Sequence, residues 1–208
     1  MDTTIIIINK GEYEMSADTR EIAETLRPPL AAASNYHRSD LHNLLDEASS
    51  RRLIVISGPP GAGKSTLIAT YIATRSLPSI WYQVNGADKD LARFFHHFGI
   101  TAHEVLPHYS TSIPDWYPEY SPENTAFVNN YFQEIYQHLN SPFLIVLDDY
   151  QEVGDDAAFH DTICIACREL PPGGRMVIVS RKGCPATLAQ LCNRNMVAII
   201  EPDDLLQR

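Results

Sequence analysis

Residues Leu53 to Thr66 read LIVISGPPGAGKST, an apolar run that passes through Ser57 into a glycine-rich loop. A short, wholly apolar run predicts a buried strand, and the loop after it fits the spacing Gly58-x4-Gly63-Lys64-Ser65. The stretch Gly58, Pro59, Pro60, Gly61, Ala62, Gly63 reads as a cradle whose glycines let the backbone turn its N–H groups towards phosphate oxygens. A helix opening near Gly63, with Leu67, Ile68 and Tyr71 inward, adds the positive end of its dipole. Lys64 is suited to neutralise β/γ-phosphate charge, Ser65 offers its hydroxyl to magnesium, and Thr66 is a candidate for the α-phosphate. The motif implies a nucleoside triphosphate with its Mg2+.

Outward from this loop, short apolar strands alternate with helical patterns. Leu41, Leu44, Leu45 and Ala48 recur at helical spacing behind Ser39 or Asp40, either of which can cap a helix. Downstream, strands are predicted at Ile80 to Val84, Phe143 to Leu147, Arg175 to Val179 and Met196 to Ile200. Helices are predicted at Asp88 to Phe98, Thr125 to Leu139, Asp155 to Leu170 and Ala186 to Cys192. In the second of these Val128, Tyr131, Phe132, Ile135, Tyr136 and Leu139 share one side. The alternation predicts an α/β fold of the P-loop NTPase kind, a five-stranded, mainly parallel sheet with helices on both faces. Thr101 to Glu123, rich in Pro, Ser and Tyr, reads as a surface loop insertion. Residues 1–36 hold a β-rich run, a turn signal and Pro28-Pro29, and read as an N-terminal extension and linker; residues 37–208 read as one nucleotide-binding domain.

Two further strand ends carry chemistry. Phe143 to Leu147 runs into Asp148 and Asp149, and parallel strands point their C-terminal ends at the ligand crevice. Asp148 is therefore a candidate magnesium ligand and Asp149 a candidate for orienting or deprotonating the attacking water. Arg181, after Ser180 on the next strand, could stabilise charge developing on the γ-phosphate. The pair Cys164 and Cys167 falls in an apolar helical pattern, where free cysteine packs as a small hydrophobe, and no second pair with zinc spacing follows. The eight histidines show no metal-ligand spacing and are expected at the surface.

Composition narrows the class. The 208 residues are 44% apolar, enough for a sizeable core, and the formal charge of −10 offers no clustered cationic face for nucleic acid. The longest apolar runs, such as Phe143 to Leu147, and others such as Ile5 to Ile8, fall far short of the roughly 18 residues of a membrane span, and no signal-like N-terminus is visible. A cytoplasmic location is the default.

In order along the chain, these pieces resemble the nucleotide-binding domain of the STAND class of P-loop ATPases, in the form found in MalT-type, large LuxR-family bacterial regulators. The matching segments run from about Arg27 to Met196: Arg27-Pro28-Pro29, His37 to Leu41, the phosphate loop, Trp81 to Val84 with Asp88, Asp90, Ala92, Arg93 and Phe94, Leu147-Asp148-Asp149-Tyr150, and Leu170-Pro171-Pro172 through Ser180-Arg181. Ala62 stands where the family loop often has an aromatic, a form also seen in AAA+ proteins. The resemblance implies Arg38 close to the nucleotide base, Arg181 as the arginine of the first sensor motif and Asp149 as the acid needed for hydrolysis. It also implies a switch that rests with ADP, self-associates with ATP and an inducer, and resets on slow hydrolysis. Such regulators continue into a winged helix, a helical-repeat sensor and often a DNA-binding helix-turn-helix. This chain is therefore expected to be a fragment of a longer regulator, with any DNA contact beyond Arg208. Two other classes stay open: a P-loop small-molecule kinase, although no arginine-rich lid is visible, and an interaction scaffold that holds nucleotide without turnover.

Overall fold

The computed structural model describes residues 39–106, 125–188, 195–201 and 203–204. The expected extension of residues 1–36 and most of the expected insertion, residues 107–123, lie outside the described residues.

Five strands form one sheet: β1 (Leu53–Ser57), β2 (Ser79–Gln83), β3 (Phe143–Asp148), β4 (Gly174–Ser180) and β5 (Val197–Ile200). Their order is β2-β3-β4-β1-β5, and each of the four pairings is parallel. Parallel neighbours need crossovers, and α-helices accompany them: α1 (Ser39–Ala48), α2 (Lys64–Arg75), α3 (Leu91–Val105), α4 (Thr125–Tyr136) and α5 (Ala157–Glu169). β1 and β3 are buried along their whole length, which is why they carry no polar alternation until their last residues.

The period of two in each strand sorts the core into two layers. Leu53, Val55, Ile145 and Ile178 pack with α3, α4 and α5, whereas Ile54, Ile56, Val146 and Val177 pack with α1 and α2. Helices therefore cover both faces, as the apolar strands require. The larger layer is aromatic: Phe94 of α3 meets Tyr82, Phe98 and Phe159 with ring centroids 5.6, 5.5 and 4.9 Å apart. Tyr131 adds a buried hydrogen bond to the Phe95 carbonyl at 2.6 Å, and Tyr136 one to that of Ala166 at 2.9 Å. The six apolar residues expected on one side of the Thr125 helix are all buried in this layer.

Three expectations are corrected. The helix expected from Asp88 starts at Leu91, because Asp90 accepts from the Ala92 N–H as its cap and Gly86–Lys89 form a separate 3-10 turn closed by Asn85 and Asp88. That helix also runs on to Val105, so the first residues of the expected insertion are helical. Ala102 continues the stripe of Phe94 and Phe98 and is buried with Thr101. Of the eight histidines expected at the surface, His42 and His160 are buried. His42 lies 3.3 Å from the Thr70 hydroxyl, and His160 spans the Tyr150 hydroxyl at 2.9 Å and the Gly154 carbonyl at 3.0 Å. A histidine with both ring nitrogens partnered is satisfied inside a core. Cys164 and Cys167 are buried free thiols, and burial pushes both above the usual thiol range. Residues 186–188 are helical, and the remainder of the helix expected there lies outside the described residues.

Candidate nucleotide site

Because β4 lies between β1 and β3, the C-terminal ends of these three strands stand side by side on one edge of the sheet. β1 delivers the glycine-rich loop. Its backbone needs left-handed residues at Gly61 (φ 79°) and Gly63 (φ 78°), where a side chain would be strained. Gly63 caps α2 without any side-chain bond, so the first turn of that helix keeps its N–H groups free of a side-chain cap. Uncapped N–H groups at the positive end of a helix dipole suit phosphate oxygens.

Lys64 is 8% exposed, and its Nζ donates to the carbonyls of Gly58 at 2.7 Å and Pro59 at 2.9 Å. Burial lowers its pKa; the nearby Asp148 and Asp149 charges oppose that shift. The ammonium thus lies folded against its own loop.

The hydroxyl of Ser65 reaches across β4 and donates to Asp148 Oδ1 at 3.1 Å, and the Asp149 N–H donates to the same oxygen at 2.9 Å. Desolvation raises the pKa of Asp148, which is 8% exposed. A buried carboxylate beside a serine hydroxyl is a pair of hard oxygen donors, the kind that magnesium takes.

Asp149 does not continue the strand. Its φ of 53° and ψ of 35° turn the chain left-handed and send its carboxylate away from Ser65. Oδ2 accepts from Gln83 Nε2 at 3.0 Å, and Oδ1 accepts from Gln151 Nε2 at 2.9 Å. Arg181 Nη2 lies 3.5 Å from Oδ1, a long and half-exposed pairing that contributes little by itself. The end of β4 is tied to the loop by Gly58 N–H donating to Ser180 O at 3.3 Å, in register with the Ser57 to Ser180 pairing.

The structure thus gathers Gly58, Lys64, Ser65, Asp148, Asp149 and Arg181 within one crevice edge. Pro59, Pro60, Gly61 and Thr66 are exposed along the loop and first turn of α2, with Ala62 half-buried. Arg38 lies outside the described residues. Sequence reasoning gave no role to Gln83 and Gln151. Gln83 carried a signal, a polar residue closing an apolar strand in register with Asp148. Gln151 carried none, because its place depends on the left-handed turn at Asp149.

Residues 35–179 match the AAA ATPase domain family. Among curated relatives, the MalT transcriptional regulator of Yersinia pestis is 28% identical over 162 residues, 77% of this chain and 18% of the regulator. That of Vibrio cholerae is 24% identical over 159 residues, 74% of this chain and 17% of the regulator. The chain thus spans under a fifth of the length of the regulators it matches. A Walker-type ATPase of Pyrococcus abyssi shares the fold, with a TM-score of 0.50, 12% identity, and coverage of 85% of this chain and 56% of that one. No helix among the described residues is long and apolar enough to cross a membrane. A phosphate loop on β1, paired carboxylates ending β3 and a match across residues 35–179 lead to one conclusion: the chain belongs to the AAA ATPase domain family, a nucleotide-binding P-loop fold.

Proposed function

We propose that this chain is the ATP-binding, slowly hydrolysing signal-transduction module of a MalT-like transcriptional regulator of the STAND class, with residues 37–208 as its nucleotide-binding domain. The observation that carries the reading is the separation of two adjacent carboxylates: Asp148 meets Ser65, while Asp149 faces Gln83, Gln151 and Arg181. In this reading one acid serves the metal side of the phosphates and the other the water side.

Ser65 and Asp148 would hold magnesium, which when bound neutralises charge on the β- and γ-phosphates. Lys64 leaves the carbonyls of Gly58 and Pro59 for the phosphate chain, exchanging neutral acceptors for charged ones. The loop from Gly58 to Gly63 would wrap the phosphates, and Thr66 would meet the α-phosphate. Asp149 orients the attacking water and takes its proton, and Arg181 meets charge on the γ-phosphate. Arg38 belongs near the base.

In the longer protein, ADP would hold the resting state, ATP would permit self-association, and hydrolysis would reset the switch. Contact with DNA would come from other domains, in a cytoplasmic protein. The test is steady-state phosphate release from ATP and magnesium, with and without added small metabolites. Slow, acceptor-free release supports the switch. Phosphorylation of an acceptor would identify a kinase and absence of release a scaffold, and either would overturn the reading.

A further inference from the structure

Gln151 touches two parts of the site with one amide. Its Nε2 donates to Asp149 Oδ1 at 2.9 Å and to Glu152 Oε1 at 3.2 Å, while its Oε1 accepts from the backbone N–H of Arg181 at 2.8 Å. This orientation is fixed by chemistry. A backbone N–H can only donate and a carboxylate can only accept, so the flipped amide would oppose like groups at both ends.

The two ends differ in how firmly they are held. Gln151 sits in the 3-10 turn Tyr150–Val153, whose Tyr150 and Val153 are buried and whose Glu152 N–H bonds back to the Asp149 carbonyl at 3.0 Å. The Tyr150 hydroxyl pairs with buried His160, which in turn meets the Gly154 carbonyl. Arg181, by contrast, begins an exposed stretch just past the end of β4. The amide therefore links an anchored turn to the segment that carries the arginine.

The geometry points to Gln151 as a positioning residue that couples the backbone of Arg181 to the Asp149 carboxylate. This rests on the proposed role of Asp149 in hydrolysis. When the Arg181 segment shifts towards a γ-phosphate, Oε1 follows its N–H, and Nε2 changes its hold on Asp149. The water-side acid is thus presented according to whether the arginine is engaged. Gln151 acts through Asp149, whose Oδ1 its amide meets.

The test compares the unaltered chain with Gln151→Met, Asp149→Asn and the double variant, since methionine keeps the length and loses all three of the amide's bonds. Gln151→Met should lower kcat by about tenfold or more, the scale for a misplaced reacting group, while KM and the Kd for ADP stay within about twofold. In the Asp149→Asn background it should change kcat by less than about twofold. Equal losses in both backgrounds, or no loss in either, would overturn the coupling.

A readout independent of turnover is the Arg181 backbone amide resonance in the 15N-labelled chain. Asp149→Asn should displace it when Gln151 is present, and by less than half as much in Gln151→Met. The same displacement in both backgrounds overturns the coupling, whatever the ATPase rate. Absence of ATP turnover by the unaltered chain, with the amide response intact, would instead refute the hydrolytic reading and leave the clamp standing.

Discussion

Replacing Asp148 with asparagine should stabilise the nucleotide-free chain while weakening its complex with nucleotide and magnesium. Both hydrogen bonds to this side chain, from the Ser65 hydroxyl and the Asp149 N–H, end on Oδ1. An asparagine oxygen can accept both, so the substitution keeps the bonds and removes only the charge. That charge is costly where it stands, since desolvation is the largest influence on Asp148 and raises its pKa. Lys64 offsets little of this, because its ammonium is engaged by the carbonyls of Gly58 and Pro59. Relief of a destabilised site residue typically gives about 0.5–2 kcal/mol. For a chain of this size each kcal/mol moves Tm by roughly 2–4 °C. The sign with pH follows from the raised pKa. The folded state binds this proton more tightly than the unfolded chain, so the ionised carboxylate costs stability at neutral pH, and that cost fades as pH falls through the folded pKa. The gain in Tm should therefore be present at neutral pH in chelator and shrink on acidification. Calorimetry with ADP should show that magnesium tightens binding to the unaltered chain and tightens it at least about tenfold less in the variant. A lower Tm at neutral pH, or an undiminished effect of magnesium, would refute the reasoning.

Other substitutions probe the remaining parts. Lys64→Ala should cost the chain most of its affinity for ADP and magnesium, at least about tenfold by calorimetric titration, through loss of a charge-assisted phosphate contact. Asp149→Asn should keep ATP affinity within about twofold and slow phosphate release by about a hundredfold or more, the scale for removing a positioned base; equal loss of binding would refute it. Phe94→Ala, which removes a buried ring packed against Tyr82, Phe98 and Phe159, should cost about 3–5 kcal/mol in urea unfolding. The chain should leave duplex DNA unshifted in a gel at physiological salt, and a salt-sensitive shift would contradict the acidic balance.

The strands were legible because burial on both faces leaves an unbroken apolar run, and the loop because its glycines, lysine and serine have few other uses at that spacing. Boundaries were less legible where polar residues serve the backbone. Asp88 and Asp90 look like members of a helix, yet one closes a 3-10 turn and the other caps the helix that follows. Thr101 looked like loop because the segment ahead of it is rich in proline and tyrosine, although its hydroxyl is satisfied inside the helix by the His97 carbonyl at 2.9 Å. His42 and His160 were placed outside because their partners are distant in sequence or depend on the fold: Thr70, the Tyr150 hydroxyl and a turn carbonyl. Side chains whose work is set by sequence-distant partners leave no local pattern.

Asp149 shows why the site itself was only half legible. Adjacent residues in an extended strand point to opposite faces, which would have buried one carboxylate among the apolar side chains of a helix layer. The left-handed backbone at Asp149 avoids this by ending the strand one residue early, so both acids stay at the crevice edge and still diverge. For a residue other than glycine that conformation costs roughly 1–2 kcal/mol, less for aspartate, whose short polar chain tolerates it. Here the neighbouring contacts offset it: the Asp149 N–H on Asp148, the Glu152 N–H on the Asp149 carbonyl, and amides from Gln83 and Gln151 on the two carboxylate oxygens. Two of the contacts that hold the strained residue, the amides of Gln83 and Gln151, also aim its carboxylate, so changing either glutamine acts on conformation and chemistry together.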